Sequence, residues 1–336
     1  MSSNRPTISD IARAAGVSPS TVSRALNNHP TIPETTREQI RLLARQMNYR
    51  VDTRARNFRL QRSQTVATLF PFQGASRRQI SDPFYLEMLG AITDELDKRG
   101  YDSLIARVPA ESTDWCERYI LDKRVDGILM IDRALDDAGI RALNALDARF
   151  VIWCGPVEGA ACATVACDSR VTGRDAVLHL AAQGRHKIGF IGGFQRMVET
   201  DLRRQGYLQG MHEAGLPVNS DLMLFTDFSA EAAAHAVPLL LKREPKLDAI
   251  FACSDFMAIA CMQVLQGMGR AVPGDISVMG HDDIALASQT SPRLTTIRQP
   301  IQQGGRLMVQ SLFEQFEGAP PRQIVLPHEL IVRESA

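Results

Sequence analysis

The 336-residue sequence predicts an α/β protein. An N-terminal helix-turn-helix three-helix headpiece and a hinge precede two doubly wound parallel-sheet subdomains. Three observations predict this. Residues 7–49 carry short helical apolar patterns, short apolar runs alternate with helical segments from Thr65 onward, and charge is divided unevenly between the two parts. Residues 1–62 hold eleven Arg, no Lys and four acids, a net +7. The remainder carries −7, so the neutral total hides a basic head on an acidic body. Clustered Arg is the electrostatic footprint of phosphate contact, whereas a merely solvated face mixes the signs.

The headpiece is justified residue by residue. Thr7 lies three residues before Asp10, the spacing of a capping box, so a first helix starts there. Ile11, Ala12 and Ala15 share one face. Gly16 suits the left-handed backbone at a helix end. Ser18 caps a second helix with Pro19 in its first position, where the missing N–H costs nothing. Val22 and Leu26 form its inner side, leaving Ser20, Arg24 and Asn27 on other faces. A helix, tight turn and helix of this kind is the layout of a DNA-reading unit; an ordinary helical hairpin at a domain edge is the competing reading. A third helix follows from Thr35-x-x-Glu38 to about Asn48, with Ile40, Leu43, Ala44 and Met47 closing a three-helix core. Residues 50–62 are Arg-rich and have no apolar stripe, as a basic linker would.

Several stretches together make a specific resemblance. They are Thr7 to Asn27, Ile32-Pro33-Glu34-Thr35-Thr36-Arg37, Met47-Asn48-Tyr49 and Arg54-Ala55-Arg56-Asn57-Phe58-Arg59. In order and spacing the chain resembles the LacI/GalR family of bacterial transcriptional regulators. The resemblance implies DNA contacts from Thr7, Ser18, Pro19, Ser20, Thr21, Arg24, Asn27, Arg56 and Phe58. It also implies that residues 50–62 form a hinge helix that folds on DNA and places an apolar wedge in the minor groove. Phe58 stands where the wedge is usually Leu, and Val51 stands where Pro often follows the tyrosine.

In the body, apolar runs at Thr65–Phe70, Asp102–Arg107, Gly127–Ile131 and Phe150–Trp153 alternate with helical segments at Tyr85–Arg99, Thr113–Leu121 and Ala138–Leu146. A second series runs through helix Gly173–Gln183, strand Lys187–Gly192, helices Leu202–Ala214 and Ala230–Leu241, strand Ala249–Ala252, helix Phe256–Gln266 and strand Ile276–Gly280. This alternation indicates parallel sheets covered on both faces, with a ligand at the carboxyl ends of the strands. Four further stretches extend the resemblance: Ala182–Gly193, Cys253–Ala258, Val272–Asp283 and Leu294–Pro300. They imply a fold like that of periplasmic sugar-binding proteins, with crossings near Asp168, Gln299 and Pro327. The expected parts are 1–49 (headpiece), 50–62 (hinge), 63–168 with 299–327 (first effector subdomain), and 169–298 with 328–336 (second).

The resemblance places an effector among Asp82, Phe84, Tyr85, Asp168, Arg203, Phe228, Ser254 and Asp282. Phe228 would lay its ring over the ligand, Arg203 would open a helix and offer a fork of donors, and Asp282 would accept from hydroxyls. A mutual Arg203–Asp282 salt bridge, and core packing of Phe228, are the plainer readings of the same residues. Asp255 reads as a helix cap. Acidic acceptors and an aromatic face suit a sugar, and a purine or nucleoside would stack equally well.

Enzymatic readings find little support. Gly192-Gly193 lacks the full G-x-G-x-x-G and reads as a tight turn. Asp282 and Asp283 are adjacent at a strand end and point in opposite directions, so they form no dyad. The seven histidines lack metal-ligand spacing. The six cysteines show no C-x-x-C, as expected of reduced, buried thiols in a cytoplasmic protein. No secretory leader and no membrane-spanning run is visible. The expected function is that of a dimeric, effector-controlled regulator of transcription of the repressing kind, with operator DNA and a small molecule, a sugar before a nucleoside, as partners and no cofactor or metal. The alternative from another class is a sugar-binding transport protein, which shares the body's fold but would not need the Arg-rich head.

Overall fold

The computed structural model describes residues 6–26, 28–49, 62–72, 79–133, 138–155 and 162–336. The chain divides into two compact units, Met1–Ser63 and Gln64–Ala336.

The first unit is a three-helix cluster of α1 (Ile8–Ala15), α2 (Pro19–Leu26) and α3 (Glu34–Gln46). Thr7 caps α1 by accepting from Asp10 N, while Asp10 Oδ2 accepts from Thr7 N at 2.9 Å. Gly16 follows at φ 65°. Ser18 Oγ accepts from Thr21 N at 3.1 Å at the head of α2. Ile11, Ala12, Val22, Ala25, Ile40 and Ala44 form the buried core, so the apolar spacing places these side chains together. Helix α3 starts at Glu34, one residue earlier than its Thr35 signal, with Pro33 before it.

The second unit contains two six-stranded sheets. One holds β1 (Thr65–Phe72), β2 (Asp102–Pro109), β3 (Gly127–Ile131), β4 (Phe150–Trp153), β5 (Ala163–Cys167) and β11 (Gln323–Leu326), in the order β11-β5-β4-β3-β1-β2. The other holds β6 (Ile188–Gly192), β7 (Met223–Phe225), β8 (Ala249–Ala252), β9 (Ser277–Asp282), β10 (Thr295–Arg298) and β12 (Glu329–Ile331), in the order β12-β10-β9-β8-β6-β7. All pairings are parallel except β10 with β12. Strands β3, β4, β5, β6 and β8 are buried throughout. That is why they read as continuous apolar runs rather than alternating ones.

Helices α4 (Pro83–Asp97), α5 (Asp114–Ile120), α6 (Ala138–Ala145) and α11 (Ile301–Phe316) belong to the first lobe; α7 (Ser169–Ala182), α8 (Val198–Glu213), α9 (Ala230–Arg243) and α10 (Asp255–Gly267) belong to the second. Two of them begin earlier than their apolar period suggests. Helix α7 starts at Ser169 because Asp168 caps it, accepting from Arg170 N and Val171 N. Helix α8 starts at Val198 behind Met197, a residue with no side-chain cap to announce it. Arg203 therefore lies in its second turn instead of opening it. Helices α7 and α8 cross at backbone contact: a Cβ on Gly173 would lie 2.4 Å from the Arg203 carbonyl oxygen, and one on Gly206 would lie 2.0 Å from that of Arg170. This close crossing sets the position of α8, and hence of Arg203, against α7.

Candidate nucleic-acid interface and effector cleft

In the headpiece, Thr7, Ser18, Pro19, Ser20 and Arg24 are exposed and Thr21 is half-buried. Ser20 and Arg24 are one turn apart on α2 and therefore share a face. The Ser18 hydroxyl lies 2.7 Å from Ser20 Oγ and 2.8 Å from Thr21 Oγ1. Ser18 thus sets the start of α2 and aligns both neighbouring hydroxyls. Arg37 Nη1 donates to the Asn28 carbonyl at 3.4 Å and Arg41 Nη2 to the Asn28 side-chain oxygen, which ties α3 to the turn after α2. Asn27, Arg56 and Phe58, and with them the expected hinge helix, lie outside the described residues.

In the second unit the carboxyl ends of the strands converge on one region. Asp82 caps α4, its Oδ1 accepting from Phe84 N at 3.0 Å. The cap aims Phe84 and Tyr85 inward, and both are buried. Tyr85 donates its hydroxyl to Asp132 Oδ2 at 2.8 Å, just beyond β3. Its ring meets Phe70 edge-on, at 4.6 Å between centroids. These rings, with Asp132, Phe194 and Met197, line a cavity of about 20 Å³. That is room for a water-sized group and far short of a sugar ring. Asp82 and Asp168 each hold a helix N-terminus with one carboxylate oxygen.

On the second lobe, Phe228 stands at φ 64° and is buried. Its ring covers Gly193 so closely that a Cβ there would lie 1.8 Å from a ring carbon. Phe194 packs beside it at 6.5 Å. Ser254 is the cap of α10, its hydroxyl accepting from Met257 N at 3.3 Å. This corrects the expectation for Asp255, which lies inside the first turn and accepts from Thr296 Oγ1 at 2.5 Å and Ile284 N at 2.8 Å. Asp255 ties α10 to the ends of β9 and β10. Burial, reinforced by the Asp282 charge, pushes its carboxyl well above the usual carboxylate range.

Arg203 is buried and donates from Nη1 to the Cys253 carbonyl at 2.9 Å. Its Nε, also buried, has no hydrogen-bond partner among the described residues. The mutual Arg203–Asp282 salt bridge of the plainer reading is not formed. Asp282 Oδ1 instead accepts from Gln299 Nε2 at 2.8 Å and lies 3.1 Å from His281 Nδ1. On its other side, His281 Nε2 lies 3.0 Å from Thr172 Oγ1. Burial, with the Arg203 charge adding to it, drives the His281 pKa well below its ordinary value, so the ring is neutral. A carboxylate at Nδ1 favours the tautomer with its proton there, and Nε2 then faces the Thr172 hydroxyl, whose single proton is also within reach of the Ser169 carbonyl at 3.1 Å. Asp283 faces elsewhere, pairing with Arg298 and Arg333, so the adjacent aspartates form no dyad.

Sequence reasoning passed over several participants. His281 was weighed only as a metal ligand, Thr172 was not singled out, and Gln299 was marked only as a crossing. Glu199, a buried carboxylate one turn before Arg203, was missed, although Glu and Arg four apart on a helix share a face. All six cysteines are free and buried. Among the described residues there is no group of three or more potential metal ligands, and no helix long and apolar enough to cross a membrane.

A helix-turn-helix unit on the same chain as a two-lobed body, with polar groups gathered at its strand ends, defines a ligand-responsive DNA-binding protein. The family comparison agrees. Residues 7–52 match the bacterial regulatory proteins of the lacI family, and residues 177–336 match the periplasmic binding protein-like domain. The chain is 32% identical to the HTH-type transcriptional regulator CelR of Thermobifida fusca, across 98% of both chains. It is 31% identical to the HTH-type transcriptional regulator DegA of Bacillus subtilis, again across 98% of both. Among solved structures, a CelR–cellobiose complex aligns with a TM-score of 0.73 at 31% identity, covering 99% of this chain and 100% of that one. The lac repressor dimer bound to operator and the anti-inducer ONPF aligns with a TM-score of 0.86, covering 99% of each; at 23% identity it speaks for the fold alone. The chain belongs to the LacI family of bacterial transcriptional regulators, and it is a sequence-specific DNA-binding regulator of transcription.

Proposed function

We propose that this regulator binds a pseudo-palindromic operator as a homodimer in the cytoplasm, without enzymatic activity, under the control of a small hydroxyl-rich effector held between its two lobes. Arg203 carries the reading. A buried guanidinium with a spare Nε donor, at the strand ends where Asp282 also sits, suits a ligand that both accepts and donates hydrogen bonds. A sugar does both with its hydroxyls. The CelR relative was solved with cellobiose, which favours a sugar over a nucleoside. Asp282 would accept from the ligand, Arg203 would donate to it, and Phe84, Tyr85 and Phe228 would supply apolar walls, with Asp82, Asp168 and Ser254 at the rim. In the headpiece, Ser20 and Arg24 would do most of the polar reading of base edges and the Pro19 ring would meet a thymine methyl, with Thr7, Ser18, Thr21, Asn27 and Arg56 as further DNA contacts and Phe58 as the minor-groove wedge. A homodimer would let two reading helices meet successive major grooves of a pseudo-palindromic site.

The test is a thermal-shift series with cellobiose, ribose and adenosine, followed by operator binding with and without any compound that stabilises the protein. A sugar that raises the melting temperature and changes operator affinity supports the reading. A shift with adenosine alone transfers the site to nucleosides. Operator affinity indifferent to every stabilising compound overturns effector control.

A further inference from the structure

One helical turn joins the two lobes beside the candidate cleft. Val198 N, in the first turn of α8, donates to the Arg133 carbonyl beyond β3 at 3.3 Å. The next residue, Glu199, accepts through Oε1 from Gly155 N, beyond β4, at 2.7 Å. Its other oxygen accepts from the hydroxyl of Ser169 at the start of α7. Arg133 and Gly155 follow strands of the first sheet; α8 precedes and follows strands of the second. Two adjacent residues therefore hydrogen-bond the second lobe to two strand ends of the first.

Glu199 is an expensive choice for this place. It is 5% exposed, and desolvation of a carboxylate is repaid only by well-placed donors and charge. Those present are the Gly155 amide, the Ser169 hydroxyl and the Arg203 guanidinium one turn on. The Asp132 carboxylate works against them.

We propose that Val198 and Glu199 form the clasp of the effector cleft. Glu199 is a positioning residue that holds the lobes together and sets how readily a ligand enters. A ligand that enters between the lobes binds only those molecules in which the clasp is open. The affinity of such a ligand is then reduced by the fraction of molecules that are open. This consequence rests on the reading that the effector lies between the lobes; the clasp itself does not.

The test compares amide hydrogen exchange in the full-length, ligand-free parent with Glu199→Ala, Glu199→Gln and Ser169→Ala. Gly155 and Val198 carry the diagnostic amides. In Glu199→Ala, exchange around residues 131–133, 153–155 and 197–200 should accelerate at least about tenfold, while peptides from β1 and β8 stay at parental rates. Glu199→Gln keeps an acceptor for the Gly155 amide and should lie near the parent, with Ser169→Ala between. Acceleration throughout both lobes would show a general loss of stability and overturn the assignment, as would parental rates in Glu199→Ala. Should that variant fail to fold, Ser169→Ala carries the test alone, with the same pattern expected. A separate titration with cellobiose, ribose and adenosine examines the dependent consequence. Any of these that binds the parent should bind Glu199→Ala about tenfold more tightly. Altered exchange with no ligand response would leave the clasp standing and remove the effector reading.

Discussion

His281 shows how one buried side chain links charge, stability and recognition. It is fully buried between Thr172 and Asp282, and desolvation lowers its pKa well below the ordinary 6.5. The unfolded chain binds this proton below pH 6.5 and the folded chain does not. Stability is therefore lost as pH falls below 6.5, at about 1.4 kcal/mol per pH unit until the folded pKa is reached. Glu199 works in the opposite direction. Burial raises its carboxyl above the ordinary 4.5, so the folded state takes up the proton first and gains stability as pH falls toward that value. Replacing His281 with Asn, whose amide can still donate to Asp282, should flatten the loss below pH 6.5. Chemical denaturation at pH 7.5, 6.5 and 5.5 measures it. An unchanged slope would mean that the ring is protonated in the folded protein. At the same scale, Asp282→Ala and Arg203→Ala should each abolish the effector response while leaving operator affinity nearly intact, because a ligand acts only through its differential affinity for two states. Fluorescence anisotropy on operator duplex, with and without the stabilising compound, reads both. A full response in both variants places the ligand elsewhere.

At the scale of elements, what the sequence disclosed depended on whether an element announced its own ends. Helices α1 and α2 were legible because Thr7, Gly16, Ser18 and Pro19 mark their ends chemically. The start of α8 was not, because Met197 offers no capping group, and the displacement hid Glu199 in an unrecognised first turn. Strands β7, β11 and β12 are short and only partly buried, so unlike the equally short but fully buried β4 and β8 they do not stand out as continuous apolar runs. Arg203 and Asp282 came from family resemblance rather than from local pattern; their surroundings, Gln299, His281 and Thr172, are assembled across the fold from three separate elements. The α7–α8 crossing belongs to this class of tertiary facts. Gly173→Ala would force its new methyl against the Arg203 backbone. Overpacking of this kind costs ~1–3 kcal/mol, and here relief requires α8 to move away from α7, carrying Arg203 with it. Thermal unfolding should show the loss, and affinity for the stabilising compound should fall with it. Parental values for both would contradict the crossing. On α2, Arg24→Ala should flatten selectivity at one base pair per half-site, since a bidentate Arg–guanine contact is worth ~1–3 kcal/mol. Binding-site selection reads this directly, and an unchanged preference would remove Arg24 from the reading set.

At the scale of the whole molecule the charge is separated rather than absent. Residues 1–62 carry +7 and the remainder −7. A protein of zero net charge spread evenly would be nearly indifferent to DNA and to salt. Here the net positive charge belongs to the headpiece and the Arg-rich segment after it, although most basic residues lie in the acidic body, so exchange of phosphate counterions for Arg is favoured at that segment. The acidic body repels the duplex and disfavours any orientation that presents it to DNA, which channels attraction into the reading unit. Each phosphate neutralised adds close to one unit to the slope of log affinity against log salt. Arg56 precedes the proposed wedge and would contact backbone alone. Arg56→Ala should therefore weaken specific and random duplexes by similar factors and reduce the salt slope by ~1. Phe58→Ala should behave differently. It carries no charge, so the salt slope and random-duplex binding should persist while operator bending and most specific affinity are lost, because an apolar wedge acts by unstacking one base step. Titrations of operator and random duplex across a salt series, with bending followed by fluorescence energy transfer, separate the two effects. If Arg56→Ala alters operator and random duplex unequally, it reads sequence rather than phosphate. If Phe58→Ala still bends the operator, residues 50–62 act as a basic tether and not as a hinge that deforms DNA.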